Sequence, residues 1–429
     1  MKARTRTDSA TVVVEASAQR SKGNHHAGAN SRPSGNTERE PVNTPLDSAL
    51  DKLISFFASL RLTVVLLALG IILVFWGTLA QVELGLFKAQ NEFFRSFFVY
   101  WGPKGASWKI PVFPAGYLVG GLLLINLVTA HVKKFKFTRK KAGIWLVHFG
   151  IILLLLGQLL TDVLSRESVL HLREGEAKNY SEIERDAELA VVDVTDANSD
   201  KVVAIPQSVL MHRKEIEHPE MPFKIRVKDY FANSFVDNRA ADTLEPPAST
   251  QGIGARAIVR EVPRVTQMEK RDVPSAVIEL LGPQGSMGSW LVSEYIDPVQ
   301  SFTFNNRTYE LALRPRRVYK PYSIQLHKFS HDLYAGTDTP KNFSSRVTLQ
   351  RPDTGENREV LIYMNNPLRY AGETYYQASF DRDDHGTVLQ VVHNPSWLTP
   401  YFSCVLVAAG LLVQFGMHLF GFARKRRPA

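Results

Sequence analysis

Four runs of mostly apolar residues, Leu62–Ala80, Val112–Ala130, Ile144–Leu164 and Leu398–Phe420, mark this 429-residue chain. Each is long enough for a helix that crosses a bilayer core, which takes about 20 residues. Lipid offers no partner for backbone N–H and C=O groups, so a crossing segment of this kind must be helical. The chain is therefore predicted to be a membrane protein with three N-terminal transmembrane helices and one C-terminal. The first run begins at Leu62 and shows no small-residue cleavage pattern, so it reads as an anchor and not as a signal peptide.

Charge orients these helices. The net charge of +9 comes from two clusters: Lys133, Lys134, Lys136, Arg139, Lys140 and Lys141 between the second and third runs, and Arg424–Arg427 after the fourth. Basic connections stay on the cytoplasmic side. Both termini are then expected in the cytoplasm of a bacterial inner membrane, with residues 165–397 outside. Nucleic-acid binding, the other reading of basic runs, is disfavoured by the flanking apolar helices. The expected parts are a disordered cytoplasmic tail over 1–49, a three-helix region over 50–164, a periplasmic β-rich domain over 165–397, a fourth helix over 398–420 and a basic tail over 421–429. The three-helix region includes an aromatic external loop over 81–111 and a basic cytoplasmic loop over 131–143.

The third run holds the most informative pattern. Gly143, Gly150 and Gly157 recur every seven residues and fall on one helix face, where another backbone can approach closely. His148 lies two residues from Gly150, roughly 200° around the helix at about 100° per residue. The seam is expected to pack within the bundle while the imidazole faces something else. Ionisable groups at this depth are functional candidates by default, although a lone histidine can also simply bond a neighbouring helix. His131, at the end of the second run beside the lysine cluster, is the weaker candidate. Gly116 and Gly120 form a GxxxG pair that permits close contact but recurs by chance.

The tail holds an adjacent His25–His26 pair that is assigned no role. Leu50–Leu60 reads as an amphipathic lead-in to the first crossing. The aromatic residues Phe87, Phe93, Phe94, Phe97, Phe98 and Trp101 fall near helical spacing. They are expected to form an interfacial helix, with a docking surface for a periplasmic client as the sharper alternative.

Residues 165–397 change character. FKIRVK (Phe223–Lys228) alternates strictly between apolar and basic positions, and SAVIELL, TYELAL, SIQLHKF, RVTLQ, REVLIYM, TYYQASF and TVLQVVH alternate similarly. Turn residues separate several of them, as at Gly282–Gly285, Asp353–Gly355 and Asp383–Gly386. About ten short strands of this kind predict an antiparallel sandwich or barrel-like domain, making the whole an α+β membrane protein. Asp237–Val262 is expected to be a long loop.

No catalytic constellation stands out in this domain. His327 and His331 have i, i+4 spacing but lie where a strand is expected, and His212 and His218 sit in a polar, exposed stretch. No zincin pattern, GxSxG elbow or Walker loop occurs. The single cysteine, Cys404, lies in the fourth run and excludes an intrachain disulfide or a CxxC redox pair.

Three segments carry a resemblance: SLRLTVVLLALGIILVFWGTLAQ, WLVHFGIILLLLGQLLTDVLSRESVLHLREGE and the late block MNNPLRYAGETYYQASFDRD, with PKNFSSRV upstream. Together they resemble the ResB family of system II cytochrome c biogenesis proteins over about Ser55–Glu176 and Pro340–Phe420. The resemblance implies a non-catalytic subunit of a cytochrome c synthetase that helps present reduced haem to apocytochrome CxxCH sequences outside the membrane. It implies as partners a CcsA-type haem-handling membrane protein, apocytochrome c and a thiol-reducing thioredoxin-like protein. The six tryptophans of this chain are scattered, so the tryptophan-rich motif of that machinery belongs to another chain. The family's intramembrane histidine matches His148, which is then expected to be an axial ligand of haem b, the only metal centre expected. Neutral imidazole suits that role. Arg369, Tyr370 and Tyr376 of the late block are candidate partner or client contacts, with a fixed turn and core packing as the plainer reading. Two alternatives stay open: a haem-independent scaffold that binds apocytochrome, and a transporter subunit in which His148 serves a proton or substrate pathway.

Overall fold

The computed structural model describes residues 45–103, 108–134, 138–197, 199–240, 243–267, 270–337 and 340–425. The expectations for His25, His26, Lys136, Arg426, Arg427 and the tail to residue 44 lie outside these. Four helices are long and apolar enough to cross a membrane: Leu60–Leu84, Gly116–Lys133, Arg139–Leu164 and Thr399–Arg424. The lead-in is helical from Pro45 to Phe57. It breaks at Ala58–Ser59, where the Asn126 amide of the second spanning helix donates to the carbonyls of Phe57 (2.5 Å) and Ser59 (3.1 Å). The Thr63 hydroxyl donates to the Asn126 carbonyl oxygen at 2.6 Å, so this buried amide pins the bend.

The aromatic stretch does not form one interfacial helix. Leu86–Ala89 makes a helical turn, Gln90–Phe94 a π-helical turn, and Phe98–Trp101 pairs with Ile110–Pro114 as a hairpin. Phe93 turns inward and is buried with Leu73, Val99 and Ala115 against the first spanning helix. The second crossing accordingly starts at Gly116, four residues later than its apolar run: Pro111 and Pro114 favour extended backbone at their predecessors.

The strands of the region over 165–397 pair antiparallel, with one isolated parallel bridge at Gln251 and Trp290, and the region is both sandwich and barrel. Two long strands, Ala177–Asp193 and Arg307–Leu333, run through both halves. In one half they pair with Lys201–Pro206 and Gln300–Phe304. This layer packs on a four-stranded sheet of Gly285–Ser293, Ser275–Gly282, Lys224–Phe231 and Glu215–Ile216. Leu189, Leu311, Ile225, Ile278 and Leu280 fill the space between the layers. Each such side chain contributes about 1.5–3 kcal/mol by leaving water. In the other half the long strands join Pro340–Arg351, Glu356–Tyr363, Arg166–Arg173, Gly386–His393, Glu373–Phe380 and Leu368–Tyr370. This sheet curls around Leu172, Ile324, Leu326, Leu349 and Leu389 into a nearly closed barrel. Register shifts at Pro315/Arg316 and Tyr319/Ile324 mark where the long pair passes from one core to the other. The expected loop Asp237–Val262 is shorter than predicted, because Ala257–Glu261 pairs with Ser234–Asn238.

The barrel grows directly out of the membrane helices. Arg166–Arg173 follows the third spanning helix after one residue, and it pairs with Gly386–His393, which leads into the fourth. The two strands and the two helices thus run as neighbours.

Candidate functional site

The third spanning helix has two working faces. On one, Gly143, Gly150 and Gly157 are buried, and the fourth spanning helix lies directly against them. A methyl group at Gly143 would meet Gln414 Cβ and Gly410 O at 2.7 Å, and one at Gly157 would meet Thr399 Cγ2 at 2.4 Å. The approach is reciprocal: a methyl at Gly410 would come within 2.8 Å of Gly143 O. The seam therefore closes the bundle, as its spacing predicts. By contrast Gly120 and Gly121 meet nothing within 4 Å, and Gly116 approaches the backbone of Phe94, so the GxxxG pair makes no helix contact of this kind.

On another face stands His148, directed at the second spanning helix and not at empty surroundings. Its ring centroid is 4.7 Å from that of His131, with the planes inclined at 61°. Trp145, one turn earlier, meets the same His131 ring at 5.4 Å and 75°. His131 is buried and His148 half-buried. The His131 Nδ1 lies 2.8 Å from the Leu127 carbonyl, one turn back on its own helix. A carbonyl can only accept, so Nδ1 carries a proton. Both histidines lie near the basic turn Arg139–Lys141 that joins their helices. Their shared distance from that turn was a usable sequence signal. Trp145 had one too, the i, i+3 spacing to His148.

Two further polar groups of the spanning helices, Asn126 and Asp162, are engaged locally. Asp162, near the C-terminal end of the third helix, accepts from the Tyr117 hydroxyl and pairs with Arg95 Nε at 2.9 Å. Gln414 reaches His418 at 2.9 Å. Arg95 and Tyr117 were not identified from sequence; neither belongs to a recognisable pattern.

In the barrel, the late-block candidates occupy distinct places. Arg369 stacks over Trp397, at the entry to the fourth spanning helix, with its guanidinium carbon 4.3 Å from the ring centroid. The Tyr370 hydroxyl donates to Glu356 at 2.6 Å, while Tyr376 is exposed on the outer face. Tyr375 points inward and is fully buried. Its hydroxyl lies 2.9 Å from that of Tyr322, and both donate to Glu373 (2.8 and 3.0 Å), which Lys320 neutralises. Burial pushes both phenols well above their ordinary range, and the neighbouring Glu373 adds to the effect. His327 bonds Thr348, and His331 stacks on Phe343 and Phe380, so the i, i+4 pair is split. Among the described residues no group of three or more His, Cys, Asp or Glu side chains could hold a metal ion.

Residues 284–388 match the ResB-like family. Over this segment the chain is similar to the ResB-like family. The matched segment runs from the Gly285–Ser293 strand through most of the barrel, and so extends the sequence resemblance upstream of Pro340. The chain is also similar to Protein NrfI of Wolinella succinogenes, with 26% identity over 296 residues, 68% of this chain and 29% of that protein. It is 25% identical to Cytochrome c biogenesis protein CcsB of Crocosphaera subtropica over 191 residues, 44% of this chain and 40% of that one. The matches thus span under half of either relative. His131 and His148 lie outside the ResB-like segment.

Proposed function

We propose that this ResB-like chain is a membrane subunit of a system II cytochrome c synthetase, and that it helps to present reduced haem to apocytochrome c outside the membrane. The name of the CcsB relative supports the cytochrome c setting. The observation that carries the haem reading is the contact between His131 and His148 on adjacent spanning helices.

The donor chemistry fits one axial ligand. An iron ligand must be a neutral imidazole with a ring nitrogen free of its proton, held in apolar surroundings. His148 is half-buried on the bundle flank, and His131, itself packed against Trp145, lies beside it. Two imidazoles in edge contact leave no room for a porphyrin plane between them. This chain is therefore assigned one axial imidazole, His148, with His131 behind it and the second ligand on a CcsA-type partner. Haem bound there would supply the vinyl groups that join the cysteines of CxxCH. The chain's own residues hold, orient and shield it, an accessory role.

The local pairing of Asn126 and Asp162 favours this reading over a transporter, since it leaves these two groups out of a polar pathway. Assembly of a reporter c-type cytochrome tests the proposal in a host that lacks its own synthetase and expresses this chain with a CcsA-type partner. Wild type is expected to yield covalent haem, and His148→Ala to lower the yield about tenfold or more, as loss of a metal ligand does. Equal yields would leave the haem-independent scaffold as the function.

A further inference from the structure

The barrel is weakly paired between Arg166–Arg173 and Ala177–Asp193, which meet at Val169 and Glu182 alone, and is open at a second seam. Strand Glu356–Tyr363 pairs along its whole length with Pro340–Arg351 on one side only. On the other side, Tyr363 exchanges both backbone hydrogen bonds with Asn366, at 3.3 and 2.9 Å, and the pairing stops there. Of the two residues in that tight turn, only Asn365 has a positive φ, 61°. This is the type II arrangement, whose twist splays the flanking strands. Leu368–Tyr370 accordingly pairs with Glu373–Tyr375 and leaves the seam open.

The alternation of a strand then decides which groups face the gap. Since the Tyr363 N–H and C=O point to Asn366, those of Leu361, Glu359 and Asn357 point the same way. None of these three residues has a backbone hydrogen bond across the seam among the described residues. Side chains bridge it, Tyr370 to Glu356 and Arg358 over the Tyr370 ring. Leu361, Tyr363 and Tyr376 are exposed on the outer face beside it.

We propose that this seam binds an extended segment of the apocytochrome client as an added antiparallel strand. The inference rests on the reading of the chain as a cytochrome c assembly subunit. Free backbone groups repeating every second residue are met by another extended backbone. A second copy of this chain is a poor occupant: antiparallel self-pairing over all three free residues sets Glu359 against Glu359, and like charges directly opposite repel. The fitting segment carries a basic residue opposite Glu359 and an apolar one opposite Leu361. Arg369, stacked on Trp397, holds the neighbouring edge of the seam at the entry to the fourth spanning helix. A segment bound here lies on the membrane-proximal side of the barrel.

Proline at position 359 tests the proposal, because it removes an N–H that faces the gap and not one in the ladder to Pro340–Arg351. The full chain in detergent, with a fluorescent apocytochrome, is expected to bind about tenfold more weakly as Glu359→Pro, while Glu359→Gln retains most binding. A photo-reactive Leu361→p-benzoylphenylalanine variant needs no disruption of the strand and is expected to cross-link the apocytochrome. Cross-linking to a second copy of this chain, or no cross-link from a variant that still binds apocytochrome, overturns the proposal. The haem signal separates the two readings. A cross-link that persists while His148→Ala leaves haem unchanged keeps the seam and removes the ligand, and the reverse result removes the seam alone.

Discussion

Gly150 sits so close to the fourth spanning helix that a methyl group on it would lie 2.7 Å from Val407 Cγ2 and 3.0 Å from the Ser403 carbonyl. The Ser403 carbonyl, and Val407 N at 3.1 Å, cannot yield without moving a helix backbone. Gly150→Leu is expected to lose about 1–3 kcal/mol through overpacking and to lower the melting temperature of the detergent-solubilised protein. Gly120→Leu, with open space around it, should melt like wild type.

The buried Lys320–Glu373 pair supports the barrel interior and holds the Tyr322 and Tyr375 hydroxyls. Lys320→Met would strand a carboxylate among two tyrosines. Breaking a buried pair from one side costs about 3–5 kcal/mol. Tyr375→Phe removes a buried hydroxyl that donates to Glu373, and should cost about 1–3 kcal/mol. Chemical denaturation followed by tyrosine fluorescence would rank the two variants.

How far these features could be read in the sequence varies with the physics behind them. The spanning helices and glycine seam were legible because length and a seven-residue period need no tertiary information. Phe223, Ile225 and Val227 could be placed on one face for the same reason, and Phe223 and Ile225 are indeed buried. The long strand Arg307–Leu333 was read as two, TYELAL and SIQLHKF, because Pro315 and Pro321 interrupt its pattern. In the structure those prolines lie at the register shifts where the strand changes cores. The aromatic stretch misled because Phe94 and Phe98 share helical i, i+4 spacing, yet one packs in a π-helical turn and the other begins a strand. The His131–His148 contact depends on helix pairing, which no single helix reveals.

Acid should weaken the turn at the far end of the barrel. Arg173 holds Asp383 below the ordinary carboxylate range, and the Phe329 N–H together with His385 does the same for Glu174. Such groups ionise more readily folded than unfolded. Their contribution is complete above the ordinary range, about pH 4–5, and is lost as pH falls through their lowered values. Melting temperature between pH 6 and pH 3 (a range set by ordinary carboxylate values of about 4) should fall less steeply for Asp383→Asn with Glu174→Gln than for wild type.

Arg369 over Trp397 joins the barrel to its last anchor. Arg369→Ala should cost about 0.5–2 kcal/mol, and Arg369→Lys less. A loss of cytochrome assembly by Arg369→Ala without a change in melting temperature would make this residue a client contact instead of a brace.

The decisive measurement is a reduced-minus-oxidised visible spectrum of the purified chain co-expressed with a CcsA-type partner, for wild type, His148→Ala and His131→Ala. A haem b signal is predicted in wild type that is lost or shifted in His148→Ala, is restored by added imidazole, and is only weakened in His131→Ala. An equal and unshifted signal in wild type and His148→Ala would contradict the assignment of His148 to the iron.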